Sequence, residues 1–280
     1  MKRRGYNMRE YNRKSSGRRN HKKPVRTYEQ NGRNRYHDDE KSESLYKIVT
    51  PNDLSDRSRT RERDFRKDIR NDERGHLLYN PNDFLDSRYR IKSLLGEGTF
   101  GRCFKCHDTR RAEEIAIKVV RNVEKYRDSA MIEIDILRSI QSNANGLSLL
   151  CINLITWFKH GGHICLVFPL LGASVYDFIK NNHQSPFTFR QIKHISYQML
   201  CALKFLHSIN ITHTDLKPEN MLFVNSDYEV LDKHGTEKYK NILNTDIRII
   251  DFGSAVFEHH HHSRVVCTRH YRPPEVVLGL

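Results

Sequence analysis

Two short stretches in the last third of the chain hold the side chains best suited to chemistry. His213-Thr214-Asp215-Leu216-Lys217-Pro218-Glu219-Asn220 is followed, 31 residues after Asn220, by Asp251-Phe252-Gly253. An Asp, a Lys and an Asn at these intervals, with a second Asp, supply a base, a cation and two hard oxygen ligands of the kind Mg²⁺ takes. Upstream lies Gly96-Glu97-Gly98-Thr99-Phe100-Gly101. Glycine there lets backbone N–H groups approach phosphate oxygens with no Cβ in the way. Strand-like residues follow these glycines, which suits a hairpin lid and not the turn of a dinucleotide fold. Lys118 interrupts the apolar run Ile115-Ala116-Ile117-Lys118-Val119-Val120. It either snorkels to water at a strand end or has an anionic partner, since an unpaired buried cation costs several kcal/mol. Glu133, on the next helical stretch, is the partner candidate. No single motif decides the chemistry. The ordered set does, because all five parts rarely coincide by accident.

The elements that must position these groups can be read from periodicity. Tyr89 to Leu95 reads as a strand entering the glycine turn, and Arg102 to Cys106 as the strand leaving it. A buried strand carries Lys118. Ser129 to Ile140 reads as a helix with Ile132, Ile136 and Ile140 on one face. Leu154 to Phe158 and His163 to Phe168 flank Gly161-Gly162, a hairpin signature. Thr188-Phe189-Arg190-Gln191 is a capping box, opening a helix with an apolar stripe of Ile192, Ile195, Met199, Leu203 and Leu206. The expectation is an α+β fold in which a β-rich lobe, about residues 89–169, precedes a helical lobe, about 170–280.

Composition sets the outer limits. The chain has 280 residues and a net charge of +14, unevenly spread. Residues 1–75 carry 23 basic and 13 acidic side chains and few apolar ones. Such a segment cannot offset backbone ordering at roughly 1–2 kcal/mol per residue, so a disordered basic tail is expected over 1–75 and one folded domain over 76–280. No apolar run of membrane-spanning length exists, so no membrane role is expected. Met1-Lys2-Arg3-Arg4 is followed by no apolar stretch, so no secretory signal is read. The six cysteines lie mostly inside hydrophobic runs, as core residues of a reducing compartment do. Cys103 and Cys106 lack the second pair that a zinc site needs. Eleven Lys/Arg in the first 30 residues suit an import receptor, RNA or an acidic protein, or simply a solvated tail. A nucleic-acid-binding protein is a weaker reading, since no RNA- or DNA-reading fold is recognisable.

The motifs together resemble eukaryotic protein kinases, and specifically the LAMMER, or CLK-type, dual-specificity kinases, from about Gly75 onward. The subfamily marks are Ile211-Thr212-His213-Thr214-Asp215, Phe223-Val224-Asn225-Ser226-Asp227-Tyr228-Glu229 and Ser263-Arg264-Val265-Val266-Cys267-Thr268-Arg269-His270-Tyr271-Arg272. The resemblance implies a bilobal fold, ATP and Mg²⁺ as cofactors, and phosphorylation of Ser/Thr, and of Tyr in a dual-specificity enzyme. By it, Asp215 accepts the substrate hydroxyl proton and Lys217 neutralises the transferring phosphoryl group. Asn220 and Asp251 hold the metal. Gly96 to Gly101 cover the phosphates, and Lys118, paired with Glu133, contacts them. Leu95, Cys103, Ala116 and Leu222 sandwich adenine, with Phe168 behind it and the Pro169 carbonyl and Leu171 N–H on its edge. Arg/Ser-rich splicing-type proteins are the implied substrates and the nucleus the implied location. Asp177 and Glu219 are candidate receptors for substrate arginines.

Some positions depart from the kinase pattern. Thr214 stands where many kinases place an arginine that grips an activation-loop phosphate, so this loop is expected to order without phosphorylation. Pro273-Pro274-Glu275 replaces Ala-Pro-Glu. The run His259-His260-His261-His262 could be read as a metal site, although consecutive loop histidines rarely converge on one ion. The sequence ends five residues past Glu275. An incomplete helical lobe is therefore expected, and the alternative to an active kinase is a catalytically weak fragment that acts by binding nucleotide or partners.

Overall fold

The computed structural model describes residues 69–143, 145–233, 237–260, 263 and 265–279. Most of the basic tail, and His261, His262 and Arg264, lie outside them.

The first lobe is built on one antiparallel sheet. Its strands are β1 (Phe84–Leu85), β2 (Tyr89–Glu97), β3 (Gly101–Asp108), β4 (Glu113–Val120), β5 (Thr156–His160) and β6 (His163–Pro169), in the spatial order β1-β2-β3-β4-β6-β5. Alternating burial along β3 and β4 puts Phe104, Cys106, Ile115, Ile117 and Val119 into one core with Ile91, Cys165 and Val167. Central strand β6 is buried at six successive residues, His163 to Phe168, and its sequence accordingly has no alternation. The β5–β6 turn is made by Gly161 and Gly162, both at positive φ (53° and 89°), as a two-residue hairpin turn requires.

Across the sheet lies α1 (Glu124–Ser142), five residues longer at its start than expected. Its buried face is Ala130, Glu133, Ile134, Ile136, Leu137 and Ile140, whereas Ile132, assigned to that face from the sequence, is 47% exposed. An Ile or Leu fully buried in this way contributes about 1.5–3 kcal/mol.

The second lobe contains α2 (Val175–Lys180), α3 (Phe189–Ser208) and α4 (Pro274–Leu278). The Thr188–Gln191 capping box is present in both directions. Along α3 the buried residues are Ile195, Gln198, Ala202, Phe205 and Leu206, while Ile192, assigned to the stripe, is 46% exposed. Gln198 is in the core because its amide bonds Thr245 O and its carbonyl accepts from Ile247 N. This lobe is less helical than its reading. Between residues 211 and 257 the chain forms three two-stranded ribbons: β7 (Ile211–Thr212) with β12 (Val256–Phe257), β8 (Met221–Phe223) with β11 (Ile247–Ile249), and the hairpin β9 (Tyr228–Lys233)–β10 (Glu237–Ile242). Among the described residues no helix is long and apolar enough to cross a membrane.

The domain start assigned to residue 76 is too late. Asn71 forms an antiparallel bridge with Leu77, Leu77 is buried, and Ile69 and Tyr79 pack on the sheet core. Charge counting places residues 69–75 with the tail because, apart from Ile69, their contacts are made by polar groups.

Candidate active site

The β3–β4–β6 register brings the nucleotide-type residues together. Cys103 faces Lys118 across the ladder, Lys118 faces Leu166, and Ala116 faces Phe168. Burial pushes the Cys103 thiol up to about 11, so it acts as a neutral wall. Leu95 lies near the end of β2, Cys103 on β3, Ala116 on β4, Phe168 and Pro169 at the end of β6, Leu171 just beyond it and Leu222 on β8. Leu222 is fixed in place because Ser174 bridges it and Gly172 N donates to Phe223 O.

Lys118 has the anionic partners its burial demands. Its Nζ lies 2.8 and 3.0 Å from the two Glu133 oxygens and 2.8 Å from Asp251 Oδ1. Burial alone would lower the lysine pKa, but Glu133 and Asp251 outweigh it and hold the ammonium protonated well above its ordinary range. Burial pushes the Glu133 carboxyl the other way, upward. Three short contacts to one ammonium favour the ionised arrangement. Snorkelling is thereby excluded. The Asp251 carboxyl is lowered, first by Lys118.

The glycine segment turns between β2 and β3, with Gly98 N donating to Gly101 O at 2.9 Å. A Cβ on Gly96 or Gly98 would meet nothing within 4 Å, so their outer faces are open, whereas one on Gly101 would lie 2.2 Å from Val119 O. Phe100 folds inward beneath Lys118, whose Nζ is 5.8 Å from the ring centre, and touches Tyr126 edge-on. Two lid residues are engaged elsewhere. Glu97, assigned to the nucleotide, gives its carboxylate to Arg102 at 2.7 Å, and Thr99 O accepts from Arg121 at 3.2 Å.

Asp215 sits at the centre of the second cluster. Its Oδ2 accepts from Lys217 Nζ at 2.7 Å and from Asn220 Nδ2 at 3.3 Å. Its Oδ1 accepts from Thr268 N at 2.9 Å and Thr268 Oγ1 at 2.6 Å. Burial would raise its pKa, but Lys217 and Thr268 win and lower it, so Asp215 is an anion at neutral pH. Thr268 is a site residue that motif reading missed, although it stood in a recognised subfamily stretch. A cavity of about 390 Å³ opens against Asp215, with Thr214, Ser254, Cys267 and Thr268 among its lining residues.

The β8–β11 ribbon places the candidate metal ligands. Ile249 pairs with Met221, and Ile250 N donates to Asn220 O, which sets Asn220 and Asp251 at one end of the ribbon. The Asn220 amide nitrogen is committed to Asp215 O at 2.9 Å, leaving its carbonyl oxygen as the ligating atom. An amide oxygen beside a carboxylate is a hard donor set, and it fits a divalent cation such as Mg²⁺. Among the described residues, no group of three or more His, Cys, Asp or Glu is arranged to hold a metal, and His259 and His260 pack on Phe257.

The candidate substrate residues differ from one another. Asp177 is exposed, but its carboxylate accepts the Ser174 hydroxyl at 2.6 Å as part of the α2 cap. Glu219 is half-buried, and its Oε2 is enclosed without a hydrogen-bond partner. Thr214 stands at φ 63° and donates its hydroxyl to Ser254 O at 2.7 Å, tying the catalytic-type loop to the segment just after Gly253.

Comparison with known proteins shows the family. The chain is 48% identical over 218 residues to the dual specificity protein kinase CLK2 of mouse and of human, matching 76% of this chain and 43% of the relative. It is 48% identical over 213 residues to the serine/threonine-protein kinase Doa of Drosophila melanogaster, matching 76% of this chain and 26% of that protein. The chain thus spans less than half the length of these relatives. A solved kinase domain superposes with a TM-score of 0.68 at 35% identity, covering 74% of this chain and 63% of the other. The protein kinase domain family matches residues 89–279, a span that holds every candidate site residue from Leu95 to Asp251, and the chain belongs to that family, with the CLK-type likeness read from its motifs borne out.

Proposed function

We propose that this chain binds ATP with Mg²⁺ and transfers the γ-phosphoryl group to hydroxyls of Arg/Ser-rich proteins. The observation that carries the reading is the union of two clusters, Lys118–Glu133–Asp251 and Asp215–Lys217–Thr268, on either side of Asn220. Lys118 meets phosphate oxygens while Glu133 holds it in place. Asn220 and Asp251 hold the cation, which neutralises phosphate charge when bound. Asp215 accepts the hydroxyl of the substrate and orients its oxygen toward the γ-phosphorus. A new O–P bond forms as the bond from that phosphorus to the β,γ-bridging oxygen breaks, and ADP departs. The hydroxyl proton passes to Asp215. A carboxylate of lowered pKa is a weak base, so its main work is orientation, with the proton received late, as a loose transition state allows. Lys217, anchored between Asp215 and Thr268, faces charge on the transferring group.

Transfer from labelled ATP to an Arg-Ser repeat peptide tests the whole reading. The expected result is transfer by the wild-type chain, loss in Asp215→Asn, and weaker transfer to a Lys-Ser repeat. Equal transfer by wild type and Asp215→Asn would defeat the assignment.

Residues 1–30 are read as a nuclear import signal that also binds RNA electrostatically. Their deletion should abolish nuclear accumulation, and RNA affinity should fall steeply with salt. Unchanged accumulation without them would remove this part of the proposal.

A further inference from the structure

The segment just before the sheet is a built loop, not a linker. Asp72 accepts the N–H groups of Arg74 and His76, Gly75 N donates to Asp72 O, and Gly75 stands at φ 79°. The loop reaches the glycine lid by two arginines. Arg102 donates to Leu77 O at 3.0 Å, to Asp72 Oδ2 at 3.4 Å and to Glu97 at 2.7 Å. Arg121 donates to Arg74 O at 2.6 Å and to Thr99 O at 3.2 Å. Gly75 O also accepts from Asn122 N, next to Val123, the N-cap of the helix that carries Glu133. The same loop is held to the sheet by Asn71, whose side chain meets Nε2 of buried His163 at 2.8 Å. The lid itself has little packing, since Leu94 and Leu95 are 42% and 49% exposed and Gly96 and Gly98 face open space.

We propose that residues 72–77 form a brace for nucleotide binding, with Arg102 and Arg121 as positioning residues that set the height of the lid and the start of α1. The brace deepens the ATP reading and rests on it, but its physical content is a loop that limits lid motion. A preorganised lid raises affinity by reducing the ordering cost on binding.

Two variants separate positioning from folding. Asp72→Asn keeps the carbonyl that accepts Arg74 and His76 but turns a donor toward Arg102. Arg102→Lys keeps the charge and loses the fork that spans three acceptors. Hydrogen exchange of residues 94–101 is measured in the nucleotide-free protein, alongside KM and kcat for ATP. The lid should exchange faster in both variants while β4 and β6 are unchanged. KM should rise roughly two- to fivefold, the range of a partly exposed ion pair, with kcat nearly constant. Unchanged lid exchange in both variants, or acceleration spread equally over the whole sheet, would overturn the brace. Because the exchange arm contains no nucleotide, failure of the wild-type chain to bind ATP would defeat the earlier reading and leave this one still decided by exchange.

Discussion

Replacing Glu133 by Gln removes one negative charge from the Lys118 triad and little volume. In the wild type the ammonium makes three contacts of 2.8–3.0 Å, and the Lys118 and Glu133 side chains are only 16% and 4% exposed. Breaking a fully buried pair costs about 3–5 kcal/mol. Here Asp251 remains, and the Gln carbonyl keeps one acceptor, so the loss should be nearer about 1–3 kcal/mol. Urea unfolding of the nucleotide-free protein reads this directly, at a slope of about 1–3 kcal/mol per molar. The midpoint should fall by roughly 1 M with the slope unchanged. A second consequence follows from the same geometry. With Glu133 neutral, Lys118 leans on Asp251 and competes with the divalent cation for its carboxylate. The Mg²⁺ concentration needed for half-maximal ATP binding should therefore rise. An unchanged urea midpoint together with an unchanged Mg²⁺ requirement would refute the triad as the organising contact of the site.

Three other outcomes are expected. Gly253→Ala places a Cβ 3.3 Å from Asp251 Oδ1, Glu133 Oε2 and Lys118 Nζ alike; nucleotide affinity measured by calorimetry should drop with little change in thermal midpoint. Gly101→Ala would drive a Cβ to 2.2 Å from the Val119 carbonyl and must part β3 from β4, so its thermal midpoint should fall sharply. Buried His163 bonds Val120 O through Nδ1, and burial lowers its pKa below the ordinary 6.5. The unfolded chain then takes up this proton first, so stability is full above about pH 6.5 and declines as pH falls toward the lower folded value. His213, buried against Ile250 O, adds a decline of the same sign. In His163→Gln, thermal midpoints between pH 7.5 and 5.5 should show a shallower decline.

Much of the site was legible because its members are rare residue types at fixed intervals. A lysine in an apolar strand asks for an anion, and Glu133 and Asp251 answer it. The hairpin at Gly161-Gly162 and the cap at Thr188 were equally plain, since each depends on local backbone chemistry. Helix faces were misassigned for a different reason. Ile132 and Ile192 fit the helical period, yet the buried side is chosen by what packs against it. Glu133 and Gln198 lie on that side because specific polar partners await them, and no hydropathy pattern marks such positions. Residues 69–75 were misplaced on the same ground: Asn71 and Asp72 hold their loop through His163 and Arg102, contacts that a charge count registers only as polarity. Thr268 escaped because a hydroxyl 53 residues from Asp215 carries no signal of its own.

In the described state each reactive charge already has an internal partner. Lys118 holds Asp251, Lys217 holds Asp215, and Arg102 holds Glu97. Nucleotide and cation therefore exchange contacts more than they add them, and little net affinity comes from charge alone. What the site supplies is position, which carries much of the rate in phosphoryl transfer. The Thr214–Ser254 bond fits this logic. Where many kinases place a phosphate-gripping arginine, this chain has a hydroxyl 2.7 Å from the Ser254 carbonyl, a contact that needs no modification to form. The β7–β12 ribbon, pairing Thr212 with Val256, holds the same two segments from the other side. The Thr214 hydroxyl bond and the β7–β12 ribbon thus join the segment around Asp215 to the segment after Gly253 at two points.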